Sequence, residues 1–194
     1  MKVYGLLATA FIVLVTTPAY YSFLPLYITK VLGGDSLAAS LAFSITPIAE
    51  VPAMIYLGAL SDKVGRLKVI ALCLAAYPLR YTLTSVSRTP AEAILVQLLH
   101  GLTFGGLYVA STAYIADEVG SRGAGLALSL YTASTTAGGL IGGYLLGCLV
   151  EREGYRAMYA TAAALSLLSY LSLRVMELGG SHINAAGPLV TVTR

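Results

Sequence analysis

The sequence predicts an all-α integral membrane protein with six transmembrane helices, arranged as two inverted three-helix repeats. Hydrophobic residues make up 57% of the chain and charged residues only 11%, and the mean hydropathy is +0.80. A soluble domain could not bury that much apolar surface. The apolar residues also occur in long runs, which short stretches rich in glycine and charge separate. Because about 20 apolar residues cross a hydrocarbon core of ~30 Å, each run is long enough to span a bilayer.

The runs divide the chain into one six-helix transmembrane bundle, 1–176, and a short cytoplasmic tail, 177–194. The predicted helices cover residues 3–29, 36–61, 67–86, 91–116, 123–150 and 155–176. Prolines inside several of them predict kinks, which membrane helices tolerate when neighbouring helices satisfy the freed carbonyl groups. Cys73 and Cys148 both lie inside apolar runs, and two cysteines alone cannot build a zinc site. We therefore expect no metal and no cofactor.

The most informative polar stretch lies between the second and third runs and has the spacing Gly58-x-x-x-Asp62-x-x-Gly65-Arg66-x-Lys68. Gly58 can let two helices approach closely, and Gly65 can take a positive φ that turns the chain. The spacing resembles the signature loop of the major facilitator superfamily of secondary transporters. The resemblance implies a loop that gates transport rather than binds solute. The alternative is an ordinary basic loop at a membrane face.

The distribution of lysine and arginine predicts the orientation, because short cytoplasmic loops carry an excess of these residues. One side of the predicted bundle collects the larger group: Lys2, Lys63, Arg66, Lys68, Arg122, Arg174 and Arg194. The other side has a smaller group: Lys30, Arg88, Arg152 and Arg156. We therefore expect a multi-pass protein of the cell membrane with both termini and the signature loop in the cytoplasm.

A weaker copy of the signature spacing supports the inverted repeat. Gly58-x-x-x-Asp62-x-x-Gly65 ends the second predicted helix, and Gly147-x-x-x-Glu151-x-x-Gly154 ends the fifth. If the two stretches are equivalent, helices one to three repeat as helices four to six on the opposite side of the membrane. Inverted three-helix repeats are a feature of transporter bundles.

Ionisable side chains inside the apolar runs are expensive in hydrocarbon and therefore point to function. Glu50 falls in the second run, Arg80 in the third and His100 in the fourth, with Gln97 and Thr103 one turn on either side of His100. We expect these five residues to bind solute and a proton in a water-filled cavity. The alternatives are snorkelling for Arg80, a structural hydrogen bond for His100 and a buried protonated carboxyl for Glu50.

These polar residues and their neighbours sharpen the resemblance. The stretch 20–27, the stretch 50–52, Arg80 and the stretch 97–104 together resemble the carboxy-terminal six-helix half of a major facilitator protein. The similarity is to sugar or nucleoside proton symporters and to phenylpropionate-permease-like proteins. In the lactose-permease type, the arginine and histidine that Arg80 and His100 match serve sugar binding and proton coupling. Thr103 stands where that type has a glutamate, so proton coupling either is absent or falls to Glu50.

The resemblance also implies a missing partner, because these transporters have two six-helix bundles with the solute path between them. A homodimer, a heterodimer with a second six-helix half, and an inactive remnant are the three possibilities. We expect secondary active transport of a small polar solute by alternating access between such halves, with possible proton coupling. The competing hypothesis is a non-transporting partner of a full-length transporter. No nucleophile motif or phosphate-binding loop indicates an enzyme, and no basic surface indicates nucleic-acid binding.

Overall fold

A computed structural model describes residues 3–185, without the side chains of residues 3, 4, 7, 121 and 177–185. Every regular element within that range is helical. The helices α1, α2 and α3 are Val3–Lys30, Ser36–Val64 and Arg66–Val86. The next helix begins with α4, Pro90–Val96. It continues as a 3-10 turn, Gln97–Leu99, and then as a π-helical turn, Gly101–Gly105. The chain then enters α5, Gly106–Ala185. Residues 186–194, which include half of the predicted tail, lie outside the described part.

Two glycines interrupt the long helix α5. Gly120 has φ 67° and ψ 176°, and Gly154 has φ 88° and ψ 173°, both outside the helical region. Side chains strongly disfavour such positive φ angles, whereas glycine adopts them readily. We refer to residues 106–119, 121–153 and 155–185 as the first, second and third sections of α5.

Five helical stretches of the described chain are long and apolar enough to cross a membrane: Ala8–Lys30, Ser36–Val64, Arg66–Val86, Pro90–Gly120 and Arg122–Met176. Together with the helical content, they confirm an all-α membrane protein. The last stretch has 55 residues and contains the break at Gly154.

Aromatic and polar side chains of α1, α3 and the third section of α5 fill the centre of the bundle. Tyr20 is completely buried and stacks on Tyr81, with ring centroids 5.1 Å apart. Tyr159 contacts the rings of Tyr20 and Tyr27 edge-on, again at 5.1 Å. In contrast, α2 and the second section of α5 bury few of their residues. The bundle thus has a packed interior and two helices that expose broad apolar faces.

The backbone of α1 around Pro18 packs on a glycine face of the second section of α5. Pro18 has no N–H, so it cannot donate the usual helical hydrogen bond to the carbonyl of Leu14. An ideal Cβ on Gly138 would lie 2.9 Å from that carbonyl oxygen, and one on Gly142 would overlap the carbonyl oxygen of Val15. Glycine is therefore required at both positions for this close backbone contact.

Candidate functional site

Arg80 is the centre of a polar cluster that lies inside the bundle. The residue is on α3, and its exposed surface is 0%. Its two terminal nitrogens donate four hydrogen bonds to side chains of α1 and of the irregular helix that follows α4: to Tyr21 (2.8 Å), Gln97 (2.8 Å), His100 (3.1 Å) and Thr103 (3.2 Å). A charge buried in this way needs such partners, because an unsatisfied guanidinium in hydrocarbon is very costly. The snorkelling alternative for Arg80 does not fit this geometry.

The ring of Tyr20 completes the surroundings of the guanidinium. The Arg80 Cζ atom lies 4.5 Å from the centroid of that ring, which is within cation–π range. The Tyr20 hydroxyl accepts a hydrogen bond from Nε2 of Gln97 at 2.8 Å and also bonds the hydroxyl of Thr84 at 2.9 Å. Nε of Arg80 is buried with no hydrogen-bond partner in the described part of the chain. The cluster therefore holds the arginine with neutral groups and a ring.

His100 connects Arg80 to a carboxyl group. Arginine can only donate hydrogen bonds, so Nδ1 of His100 accepts the bond from Arg80 and carries no proton. The Tyr21 hydroxyl also bonds this Nδ1. The neutral ring then has its proton on Nε2, which donates to Oε2 of Glu50 at 3.1 Å. The side chain of Glu50 is 22% exposed, against 5% for His100, so the chain of hydrogen bonds leads from the buried cation outward to a carboxyl.

The backbone of residues 97–105 departs from the α-helix where it carries these ligands. The 3-10 turn contains Gln97, and the π-helical turn contains Thr103, with His100 between the two. An ideal Cβ on Gly101 would overlap the carbonyl oxygen of Ala49, so the helix lies directly against the backbone of α2 near Glu50. π-Helical turns are uncommon and occur often at functional sites.

A second charged group lies at the loop between α2 and α3. Arg66 bonds Asp62 at 2.5 Å and Ser61 at 2.7 Å, and its Nε donates to Asp117 at 3.1 Å. This last contact ties the loop to the end of the first section of α5. A cavity of about 380 Å³ adjoins it. The cavity is lined by Val64, Gly65, Arg66, Leu67, Lys68, Tyr114, Asp117 and Glu118.

Most of the residues that we selected from the sequence come together in these two groups. Glu50, Arg80, Gln97, His100 and Thr103 form one hydrogen-bonded cluster, as described above. Asp62 and Arg66 form an ion pair, Lys68 lines the adjoining cavity, and Gly65 has φ 102° between two helices. Gly58 is different, because a Cβ there would meet Val109 at an ordinary 3.5 Å. Close helix approach is therefore not a reason for glycine at that position.

Sequence reasoning overlooked three residues of these groups. Tyr20 and Tyr21 both contact Arg80. Asp117 pairs with Arg66 of the signature loop. The sequence feature that could have identified the two tyrosines was their depth in the membrane. Tyr20, Tyr21 and Arg80 lie at similar distances from the ends of their helices. Among the described residues, no group of three or more His, Cys, Asp or Glu side chains could hold a metal ion.

The fold and the cluster define a multi-pass membrane protein with a buried polar site, as expected of a solute transporter. The chain belongs to the Major Facilitator Superfamily, whose family model matches residues 6–187.

Curated relatives with known or assigned transport roles agree with this assignment. A glucose-6-phosphate exchanger of Mus musculus is 30% identical over 97% of this chain and 39% of its own length. A staphyloferrin B transporter of Staphylococcus aureus is 30% identical over 57% of this chain and 26% of its own length. Sugar efflux transporter A of Escherichia coli is 25% identical over 79% of this chain and 39% of its own length.

The chain spans roughly a third of the length of the curated relatives that it matches. The family and the names of these relatives show similarity to membrane transporters rather than to enzymes.

Proposed function

We propose that the chain moves a small polar solute across the cell membrane together with a proton, by alternating access. The observation that carries this proposal is the chain of hydrogen bonds from the buried Arg80 through His100 to Glu50. A cation held at this depth by neutral groups is poised to attract a solute. The carboxyl at the more exposed end can exchange a proton with water, which is what coupling requires.

Glu50 is the proton carrier in this proposal. The residue one turn after His100 is Thr103, whose hydroxyl donates to backbone carbonyls and accepts from Arg80 but cannot carry a proton at neutral pH. Glu50 bonds the same histidine from α2. The carboxyl therefore has the position, relative to Arg80 and His100, from which protonation can alter the cluster.

We propose that the last apolar stretch crosses the membrane twice, which gives six helices. A straight helix of 55 residues would be about 80 Å long, whereas one crossing needs ~30 Å. The break at Gly154 supports two crossings, 122–153 and 155–176.

The positions of positive-φ glycines support an inverted three-plus-three repeat. Within residues 3–185, positive φ occurs at Gly33, Gly65, Gly120 and Gly154. Gly33 and Gly65 flank α2, and Gly120 and Gly154 flank the second section of α5 in the same manner. Two helix–turn–helix–turn–helix units with matching turn glycines are what an internal repeat produces.

The ion pair of Arg66 with Asp117 supports a gating role for the signature loop, on the cytoplasmic side. Gly58, Asp62, Gly65, Arg66 and Lys68 would then open and close the inner end of the path while the cluster binds solute. The side chain of Arg66 is 23% exposed and that of Asp117 is 62% exposed. An exposed pair of this kind is weak, about 0–1 kcal/mol, so it can break and re-form during a transport cycle.

A second six-helix bundle completes the path in our proposal, and a second copy of this bundle is the simplest candidate. The support is the pair of poorly buried elements, α2 and the second section of α5. They expose large side chains: Ile48, Ile55, Tyr56, Leu126, Leu140 and Tyr144. These faces would meet the second bundle on either side of the cavity, and the remaining apolar surface would face lipid.

Flux measurements on proteoliposomes test this function. The solute panel would begin with those that the relatives' names give, namely sugars, glucose 6-phosphate and staphyloferrin B. We expect solute-dependent proton uptake by the wild type and none by Arg80→Met, with Glu153→Gln, an exposed carboxyl near the break at Gly154, as a control. If no solute moves in a preparation shown to be folded, the chain is a non-transporting partner or remnant, and the proposal fails.

A further inference from the structure

A cavity of about 270 Å³ adjoins the polar cluster. Three of its lining residues are apolar, Leu14, Pro18 and Phe104, and the others are Thr17, Tyr21, His100 and Thr135. Tyr21 and His100 belong to the cluster, so the cavity has a polar end and an apolar body. An engineered cavity of about 150 Å³ holds benzene, so this one has room for a solute of several carbon atoms.

The hydroxyl groups on the apolar part of the cavity already have partners. Thr17 donates to the carbonyl of Val13 at 2.9 Å, and Thr135 donates to the carbonyl of Tyr131 at 3.1 Å. A solute with hydroxyls over its whole surface would lose its water partners there without regaining donors, which is costly. The cavity can therefore satisfy one polar headgroup at its Tyr21 end, and not a polyol.

The charge at the polar end is positive and lacks a direct counter-ion. The hydrogen-bond partners of Arg80 are all neutral, and the carboxyl of Glu50 is connected only through His100. The Tyr21 hydroxyl accepts a bond from Arg80 at 2.8 Å, so its own proton is available to His100 or to a solute in the cavity. A carboxylate there would accept that proton as a hydrogen bond while Nδ1 of His100 keeps its bond from Arg80.

We propose that the site binds a solute with a single negative charge and a compact apolar body, and that this anion binds when Glu50 is protonated. With Glu50 ionised, its charge and that of Arg80 cancel. When Glu50 takes a proton from water, one positive charge is left, and the solute anion balances it. One anion and one proton then cross together, without net charge. The inference rests on the proposed transport function and assigns the class of solute.

The groups that face this site define its dependence on pH. They are Tyr21 from α1, Glu50 from α2, Arg80 from α3 and His100 from the irregular helix that follows α4, whereas the described side chains of the second section of α5 contribute only the hydroxyl of Thr135. Arginine stays protonated and tyrosine stays neutral at physiological pH. The carboxyl of Glu50 is therefore the group whose protonation we expect to control anion binding.

Thermal stabilisation of the purified full chain in detergent tests the proposal without a need to know the natural solute, because a ligand that binds the folded state raises Tm. The probes are isobutyrate, its neutral analogue isobutyramide, and glucose, each titrated at several pH values. For the wild type we expect isobutyrate to bind at least about tenfold more tightly than isobutyramide. Above the pH at which Glu50 ionises, the Kd of isobutyrate should rise about tenfold per pH unit.

The variant Glu50→Gln mimics the protonated carboxyl and should bind isobutyrate with a Kd that no longer depends on pH, while Glu153→Gln should behave as the wild type. Equal binding of isobutyrate and isobutyramide, tighter binding of glucose, or no stabilisation by isobutyrate would overturn the anion proposal. So would a pH dependence that persists in Glu50→Gln. Proton-coupled flux of glucose would leave the transport function standing and refute only the solute class, so the two failures are distinguishable.

Discussion

Replacement of Arg80 by methionine separates the role of this residue in function from its role in stability. Of its four acceptors, Tyr21 and His100 keep each other as partners, and Thr103 still bonds the backbone. Only the Oε1 atom of Gln97 loses its side-chain donor, while Nε2 keeps its bonds to the Tyr20 hydroxyl and to the backbone. One unsatisfied buried acceptor costs about 1–3 kcal/mol. Removal of a desolvated charge offsets part of this cost.

We therefore expect Arg80→Met to fold, with a free energy of unfolding within about 2 kcal/mol of the wild type, and to lose coupled transport. A double-mutant cycle with Gln97→Leu measures the contact directly, since the double variant has no orphaned acceptor. We expect a coupling energy of about 0.6–3 kcal/mol. The lower bound is the average strength of a side-chain hydrogen bond between membrane helices. Unfolding in mixed detergent micelles, titrated with a denaturing detergent, gives the four free energies.

Two results would refute this reasoning. A coupling energy below about 0.3 kcal/mol would mean that Arg80 and Gln97 do not interact. Wild-type solute-dependent proton uptake by a folded Arg80→Met variant would mean that the buried cation takes no part in transport.

Three further predictions test the packing, the gate and the topology. Gly142→Ala should destabilise the bundle by about 1–3 kcal/mol through overpacking on α1. Gly143→Ala, whose added Cβ would have nothing within 4 Å, should be neutral or should stabilise the bundle by up to about 1 kcal/mol. Equal Tm values for the two variants would contradict the close contact between Gly142 and α1. Asp117→Asn should change the free energy of unfolding by less than about 1 kcal/mol yet speed the labelling of a Leu67→Cys probe beside Arg66, an effect absent in the control Glu118→Gln. In membrane vesicles, an impermeant thiol reagent should reach Glu153→Cys and Val119→Cys from opposite sides, and labelling of both from one side would disprove the crossing by residues 122–153.

The set of residues in the polar cluster could be predicted because a charged side chain inside the membrane is costly unless it has a polar partner. Glu50, Arg80 and His100 are costly unless they pair, and Gln97 and Thr103 follow from helical spacing around His100. The structure brings all five together in one cluster.

The details of the cluster depend on rotation and backbone irregularity, which spacing alone does not determine. Tyr21 contacts Arg80 because of the rotation of α1 about its axis, and its sequence context is equally compatible with core packing. The 3-10 and π-helical turns at 97–105 alter the helical register where the ligands lie, and only the glycines Gly101 and Gly105 hint at them. Likewise, Asp117 pairs with Arg66 through the tertiary packing of two helix ends.

In the proposed transporter, the cavity beside the Arg80 cluster contains water, while the exposed faces of the bundle do not. Cysteine accessibility in vesicles tests it, in a background in which alanine replaces Cys73 and Cys148. Thr135→Cys lines the cavity, and Leu140→Cys replaces a side chain that is 74% exposed on the same helix section. We predict that a water-soluble thiol reagent modifies position 135 and leaves position 140 unmodified. Rapid modification at 140 with none at 135 would contradict a water-filled path next to His100.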